Sequence, residues 1–161
     1  MANVTFRASA YAPVAPEQAW AVVCDTARYA EWVVATHAVT RTDGAARRGS
    51  TYTEINPVLG PWKARTDWVV VEFDPPHRQV HRTTDIPLAR EVIVTMEVAD
   101  AADGCELSIT LAAASARGPL GAALFAVLAG QTRRDNERTV ANLAARVTAL
   151  AGRAIGAGHG A

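Results

Sequence analysis

Arg90 stands near the start of a run, 88–98, in which Val92, Val94, Met96 and Val98 hold one parity and Glu91, Thr95 and Glu97 the other. If the apolar parity faces a cavity, Arg90 shares it, and its guanidinium offers a planar fork of donors to a carboxylate, carbonyl or enolate oxygen. The alternative is a strand-end arginine that snorkels to solvent. His81 lies in the middle of the run 77–84, where an imidazole can act as acid or base near neutral pH, the alternative being a surface or hydrogen-bonded strand residue. Trp68, sharing a parity with Ala64, Thr66 and Val70 in the run 62–73, is expected to line the same cavity, and Trp62, just after Pro61, to reach its rim. Tyr52 and Glu54 share a parity with Ser50 and Asn56 that reads as a solvent face. Thr51, Thr53 and Ile55 form the other face, and periodicity does not choose between them. Trp32 offers a flat apolar wall and an N–H donor for a ring-shaped ligand, or else a packing side chain of the core. Trp20 sits at core spacing and reads as structural.

Familiar catalytic signatures are missing from the sequence: it has no GxSxG, no phosphate-binding glycine loop and no HExxH. Asp67, Glu72 and Glu97 are scattered beside basic residues, where solvated surface pairs are the simpler explanation. Cys24 and Cys105 lack CxxC spacing, so neither a disulfide framework nor a zinc site is signalled and both read as buried thiols. No cofactor and no metal are expected.

The elements that must position these side chains are marked by turn chemistry. Val4, Phe6, Ala8 and Ala10 alternate with polar residues and predict a first strand. Pro13 and Pro16 break it, and Pro16 suits the start of a short helix through Val23. Asp25 and Thr26 then read as the N-cap of a second short helix ending near Trp32, which makes Asp25 a cap rather than an acid. Asp43-Gly44, Asn56-Pro57 through Gly60-Pro61, Asp74-Pro75-Pro76, Asp85-Ile86-Pro87 and Asp103-Gly104 divide the middle of the chain into six runs: 35–42, 49–56, 62–73, 77–84, 88–98 and 105–115. Such short connections favour an antiparallel meander that the first strand can join.

From Pro119 after Gly118 to about Ala151 the chain lacks proline and is rich in Ala, Leu and Arg, which predicts one long helix. Leu120, Leu124, Val127 and Leu128 mark one apolar stripe, and Val140, Leu143, Val147 and Leu150 another in a different phase. A kink or change of partner is therefore expected near Gly130. One domain over 1–151 and a disordered glycine-rich tail over 152–161 complete the expected organisation.

This order of elements resembles the START-like (SRPBCC) superfamily, and within it the polyketide cyclase/dehydrase and lipid-transport families. The likeness is carried by APVAPEQAWAVVCDTARYAEWV, GSTYTE, VVVEFDPPHRQVHR and QTRRDNERTVANLAARV. It implies an α+β helix-grip fold: a seven-stranded bent antiparallel sheet with two short helices, wrapped around a long C-terminal helix and leaving a cavity between them. Proteins resembling polyketide cyclases place an arginine in that cavity, which keeps Arg90 in view. A fold shared so widely does not fix a function.

Sixteen basic and sixteen acidic residues leave a formal net charge of zero, so no field draws a polyanion and nucleic acid is not an expected partner. No apolar run approaches the ~20 residues of a membrane span, and no secretory signal pattern opens the chain, so a cytoplasmic location is expected. The expected function is binding of a small hydrophobic ligand (a lipid, polyketide or aromatic metabolite) with Trp32, Tyr52, Trp68, His81 and Arg90 as ligand-binding residues. One alternative is an enzyme that cyclises or dehydrates a poly-β-ketone, with Arg90 or Arg65 holding an enolate and His81 or Tyr52 moving protons. Another is an interaction module that uses the apolar face of 119–130 for homodimerisation or partner binding.

Overall fold

The turn signals in the middle of the chain fall between strands in the computed structural model, which describes residues 3–59, 61–86, 89–115 and 119–157. The exception is Asn56-Pro57, expected to end the run 49–56, which lies within a strand that continues to Leu59. The strands are β1 (Asn3–Ala12), β2 (Ala38–Thr42), β3 (Thr51–Leu59), β4 (Trp62–Asp74), β5 (Arg78–Thr83), β6 (Ala89–Ala101) and β7 (Gly104–Ser115). They form one antiparallel sheet in the order β1-β7-β6-β5-β4-β3-β2, so the meander is intact and the first strand joins it through the last. Register shifts at Val39/Arg41, Pro57/Leu59, Val70/Glu72 and Ala89/Glu91 place bulges along the sheet. Bulges of this kind bend a strand and increase its twist, so the sheet can curve around a helix.

Close approach explains Gly104, at the β6–β7 turn. A Cβ there would lie 2.3 Å from the Ala12 carbonyl oxygen and 2.8 Å from the Tyr11 hydroxyl. The same hydroxyl donates to the Asp103 carbonyl at 2.8 Å and ties the turn to β1.

The first short helix, α1 (Pro16–Val23), has Pro16 in its first turn, and the Gln18 side chain accepts from the Ala15 N–H. A 3₁₀ helix follows over Thr26–Glu31. Asp25 occupies its N-cap position but makes no side-chain cap bond; its carboxylate instead pairs with Arg28 at 3.4 Å. The expected position is thus correct and the expected interaction is absent, because a tight 3₁₀ entry need not aim the cap oxygen at its own first turn.

The long helix, α2 (Pro119–Ala157), is continuous through Gly130 and passes 151, so residues 152–157 of the expected tail are helical. Residues 158–161 and Gly118 lie outside the described residues, as do the side chains of Leu120, Leu124 and Leu128. Asn136, Thr139, Val140, Leu143, Ala144 and Val147 are buried at helical spacing and form the face that α2 turns to β1, β7 and α1. Asn136 Nδ2 donates to the Ile109 carbonyl at 3.0 Å, the Thr139 hydroxyl accepts from Val34 N–H at 3.0 Å, and Asn142 Nδ2 donates to the Trp32 carbonyl at 3.2 Å. Arg146 and Glu31 add an ion pair between α2 and the 3₁₀ helix. Among the described residues no helix is long and apolar enough to cross a membrane.

Candidate functional site

The inner face of β3 and β4 carries the polar part of the site. Their register sets Tyr52 opposite Trp68, Glu54 opposite Thr66 and Asn56 opposite Ala64, so these six side chains share one face. That face is the interior, which corrects the reading of Tyr52 and Glu54 as solvent-facing: Tyr52 is 3% exposed, Glu54 4% and Thr66 0%. The opposite parity of β3 is polar for a separate reason. Thr53 accepts from Arg41 Nε and donates to Asp67, whose carboxyl is held below its ordinary range chiefly by that bond. Polar partners on both sides of one strand erase the alternation that would have oriented it.

Glu54 is a buried carboxyl with a built surround. The Thr36 hydroxyl donates to its Oε1 at 2.9 Å, while Asn56 Nδ2 and Trp68 Nε1 each donate to its Oε2 at 3.1 Å. Burial nevertheless raises its pKa, with the three donors opposing that shift. Tyr52 stacks on Trp68 with ring centroids 6.3 Å apart and planes at 7°, and meets Tyr29 edge-on at 5.4 Å. Tyr29 is held by donation to the Val23 carbonyl at 2.8 Å and by accepting from Gln79 Nε2 at 3.1 Å.

These groups line a cavity of about 300 Å³ between the sheet and α2. Val4 and Phe6 of β1, Val92, Val94 and Met96 of β6 and Leu111 of β7 supply apolar wall, and α2 contributes Ala129, Gln131, Thr132 and Asp135. On the β3 and β4 wall, Thr36, Asn56 and Trp68 gather on Glu54, with Thr66 opposite it, as one polar cluster.

Of the sequence-predicted site residues, Tyr52 and Trp68 line this cavity. His81 lies behind Tyr52, fully buried, and shares a 2.8 Å hydrogen bond through Nδ1 with the Tyr52 hydroxyl. Burial pushes its pKa down to about 3, so the imidazole is neutral at pH 7. Trp32 is 1% exposed and packs edge-on against Tyr29 at 5.1 Å, which makes it core behind the wall rather than part of the described lining. Arg90, expected on the cavity face, is exposed. The bulge between Ala89 and Glu91 makes Arg90 the extra residue of β6, so Ala89 turns inward in its place. Arg65 is exposed and lies 3.6 Å from Asp67, and Trp62, expected at the rim, is 75% exposed and not among the described lining residues.

Glu54, Asn56, Thr66 and Thr36 were not singled out as ligand contacts by sequence reasoning. The signal that could have found them is Trp68 itself, since a buried indole N–H calls for an acceptor and the facing strand supplies Glu54.

No curated protein matches the sequence. Among solved structures, the chain superposes on the Zhui aromatase/cyclase from a Streptomyces species with a TM-score of 0.77 at 13% identity, covering 91% of this chain and 94% of that one. A Thermus thermophilus protein gives 0.75 at 16% identity over 91% and 99% of the two chains. The di-domain ARO/CYC StfQ of the steffimycin biosynthetic pathway gives 0.76 at 12% identity, and there the match covers 93% of this chain but 52% of the di-domain chain. At these identities the superpositions establish the shared helix-grip fold. Residues 3–148 match the model of one family, described as polyketide cyclase / dehydrase and lipid transport, and the chain belongs to that family.

Proposed function

We propose that this protein binds a small, largely apolar ligand, a lipid, polyketide or aromatic metabolite, in the cavity between its sheet and α2. The observation that carries the reading is the cavity itself: about 300 Å³ of space walled mainly by aliphatic and aromatic side chains, with a polar cluster around Glu54 on the β3 and β4 wall. That distribution is what a ligand site needs, apolar area for affinity and a few placed polar atoms for orientation. Tyr52 and Trp68 contact the ligand directly. His81 acts through Tyr52, whose ring and hydroxyl it helps to fix, and Trp32 supports the wall through Tyr29. Membership of a family that joins cyclases and dehydrases with lipid transport, and the name of the Zhui aromatase/cyclase, support the ligand class. Of the residues on which a cyclisation reaction was expected to rest (Arg90, Arg65, His81 and Tyr52), Tyr52 alone is among the described lining residues, so binding is the function the geometry supports best.

Native mass spectrometry of the purified protein, followed by titration with apolar and aromatic compounds while tryptophan emission is read, tests the proposal. A copurifying apolar metabolite, or saturable quenching that Trp68→Phe diminishes, is expected. Absence of both across a library of such compounds would remove the reading.

A further inference from the structure

The polar cluster of the cavity holds more acceptor capacity than the protein uses. Among the described residues Glu54 Oε1 accepts from Thr36 alone, whereas Oε2 accepts from both Asn56 and Trp68, so one lone-pair direction of the carboxylate is left to a further donor. Asn56 has its amide orientation set by its neighbours: Nδ2 donates to the Ala35 carbonyl at 2.9 Å and to Glu54 Oε2, and both partners are acceptors. Its Oδ1 is thereby left as a buried acceptor with no partner among the described residues. Thr66 is 0% exposed, lines the cavity, and its Oγ1 likewise has no partner. Thr66 sits directly opposite Glu54, and Asn56 is the next inward position of β3, opposite the small Ala64. The three residues are therefore neighbours on one inward face, with a Cβ spacing of about 5 Å between the directly opposed Glu54 and Thr66.

Buried polar atoms are ordinarily satisfied, and each exception calls for a partner. The partner that suits these three is a donor with several N–H groups and a positive charge. We propose that the polar cluster of the cavity receives a protonated primary amine on an apolar body, its three N–H groups directed at Glu54 Oε1, Asn56 Oδ1 and Thr66 Oγ1. The inference rests on the cavity-binding reading above and goes on to specify the ligand's head group. An ammonium supplies three donors and the countercharge that a buried carboxylate otherwise lacks. An alcohol brings one donor and no charge. A carboxylate brings a second anion to Glu54, in a cavity whose lining already includes Asp135 of α2. Burial raises the Glu54 pKa, the direction in which an arriving cation gives most relief.

The test is a matched set of probes, octylamine, octan-1-ol and octanoate, titrated at pH 7 by calorimetry and by the indole N–H resonance of Trp68. Octylamine is expected to bind about tenfold or more tightly than octan-1-ol, because hydrogen bonds to charged groups are the stronger ones, and octanoate more weakly than the alcohol. Glu54→Gln should bring the amine to the level of the alcohol while alcohol binding persists. Should that variant fail to fold, Thr66→Val serves: it keeps the shape, removes a hydroxyl that has no partner among the described residues, and should weaken the amine severalfold but not the alcohol. Octanoate binding as tightly as octylamine, or an amine preference that survives Thr66→Val and Glu54→Gln, would overturn the amine assignment and leave the cavity reading standing through the alcohol. Failure of all three probes to bind would remove the cavity reading and the amine with it.

Discussion

His81 sets a pH dependence of its own. The unfolded chain takes up a proton there near pH 6.5, while the folded chain resists until about pH 3 because burial penalises the cation. The unfolded state thus binds more protons between those limits, and stability contributed by this residue falls as pH falls, by about 1.4 kcal/mol per pH unit. Glu54 works in the opposite sense, since its raised pKa lets the folded state take up a proton first and acidification through that range recovers stability. Urea titrations of the parent and of His81→Gln from pH 7 to pH 4 separate the two: the variant should lose much less stability on acidification, and parallel curves would contradict a buried neutral imidazole. Arg90→Met should leave affinity for apolar ligands within about twofold, as expected of a side chain outside the described lining. Selective loss for acidic ligands would place Arg90 nearer the cavity than its exposure indicates, and equal loss for neutral and acidic ligands would make it a support of the fold. At this scale the sequence was half legible. Trp68 was placed by its apolar neighbours on β4, but Glu54 was hidden because Thr53 on the other parity has polar partners of its own.

At the scale of elements, turn residues located every hairpin because proline, glycine and aspartate act locally through fixed dihedrals and missing or extra hydrogen-bond groups. Bulges do not announce themselves in the same way. The extra residue at Ala89/Glu91 depends on how β6 meets β7, and it reversed the side on which Arg90 lies. Two substitutions test the elements. Asp25→Ala should cost less than about 0.5 kcal/mol, since only the partly exposed pair with Arg28 is lost, whereas a working side-chain cap would cost about 1 kcal/mol. Gly104→Ala should cost about 1–3 kcal/mol, because its new methyl meets the Ala12 carbonyl at 2.3 Å and one of the two strands must give way. Denaturant midpoints at constant slope measure both. A Gly104→Ala protein as stable as the parent would mean that the β1 edge yields freely at this turn.

The whole molecule depends on α2 as the second wall of its core. The sheet alone cannot bury its inner face, and Val140, Leu143 and Val147, each 2% exposed or less, meet it from the far side. Composition foretold the helix over 119–151, and a meander plus a late helix foretold the grip. Residues 152–157 were expected to belong to a disordered tail because of its glycines, whereas the helix continues to Ala157 in spite of Gly152 and Gly156. Glycine costs a helix about 1 kcal/mol each, an amount that the packing of the preceding turns can offset. If closure by α2 is what makes the sheet a folded unit, a chain ending at 118 should collapse without fixed packing. Its near-UV dichroism should vanish, strand signal should persist in the far UV, and it should bind a hydrophobic dye. Adding residues 119–161 in trans as a separate peptide should restore near-UV signal if the two parts fit as drawn, since Asn136, Thr139 and Asn142 carry hydrogen bonds to backbone groups of the sheet and the loop before it. A cooperative urea transition in the truncated chain alone would show instead that the bent sheet holds its own core.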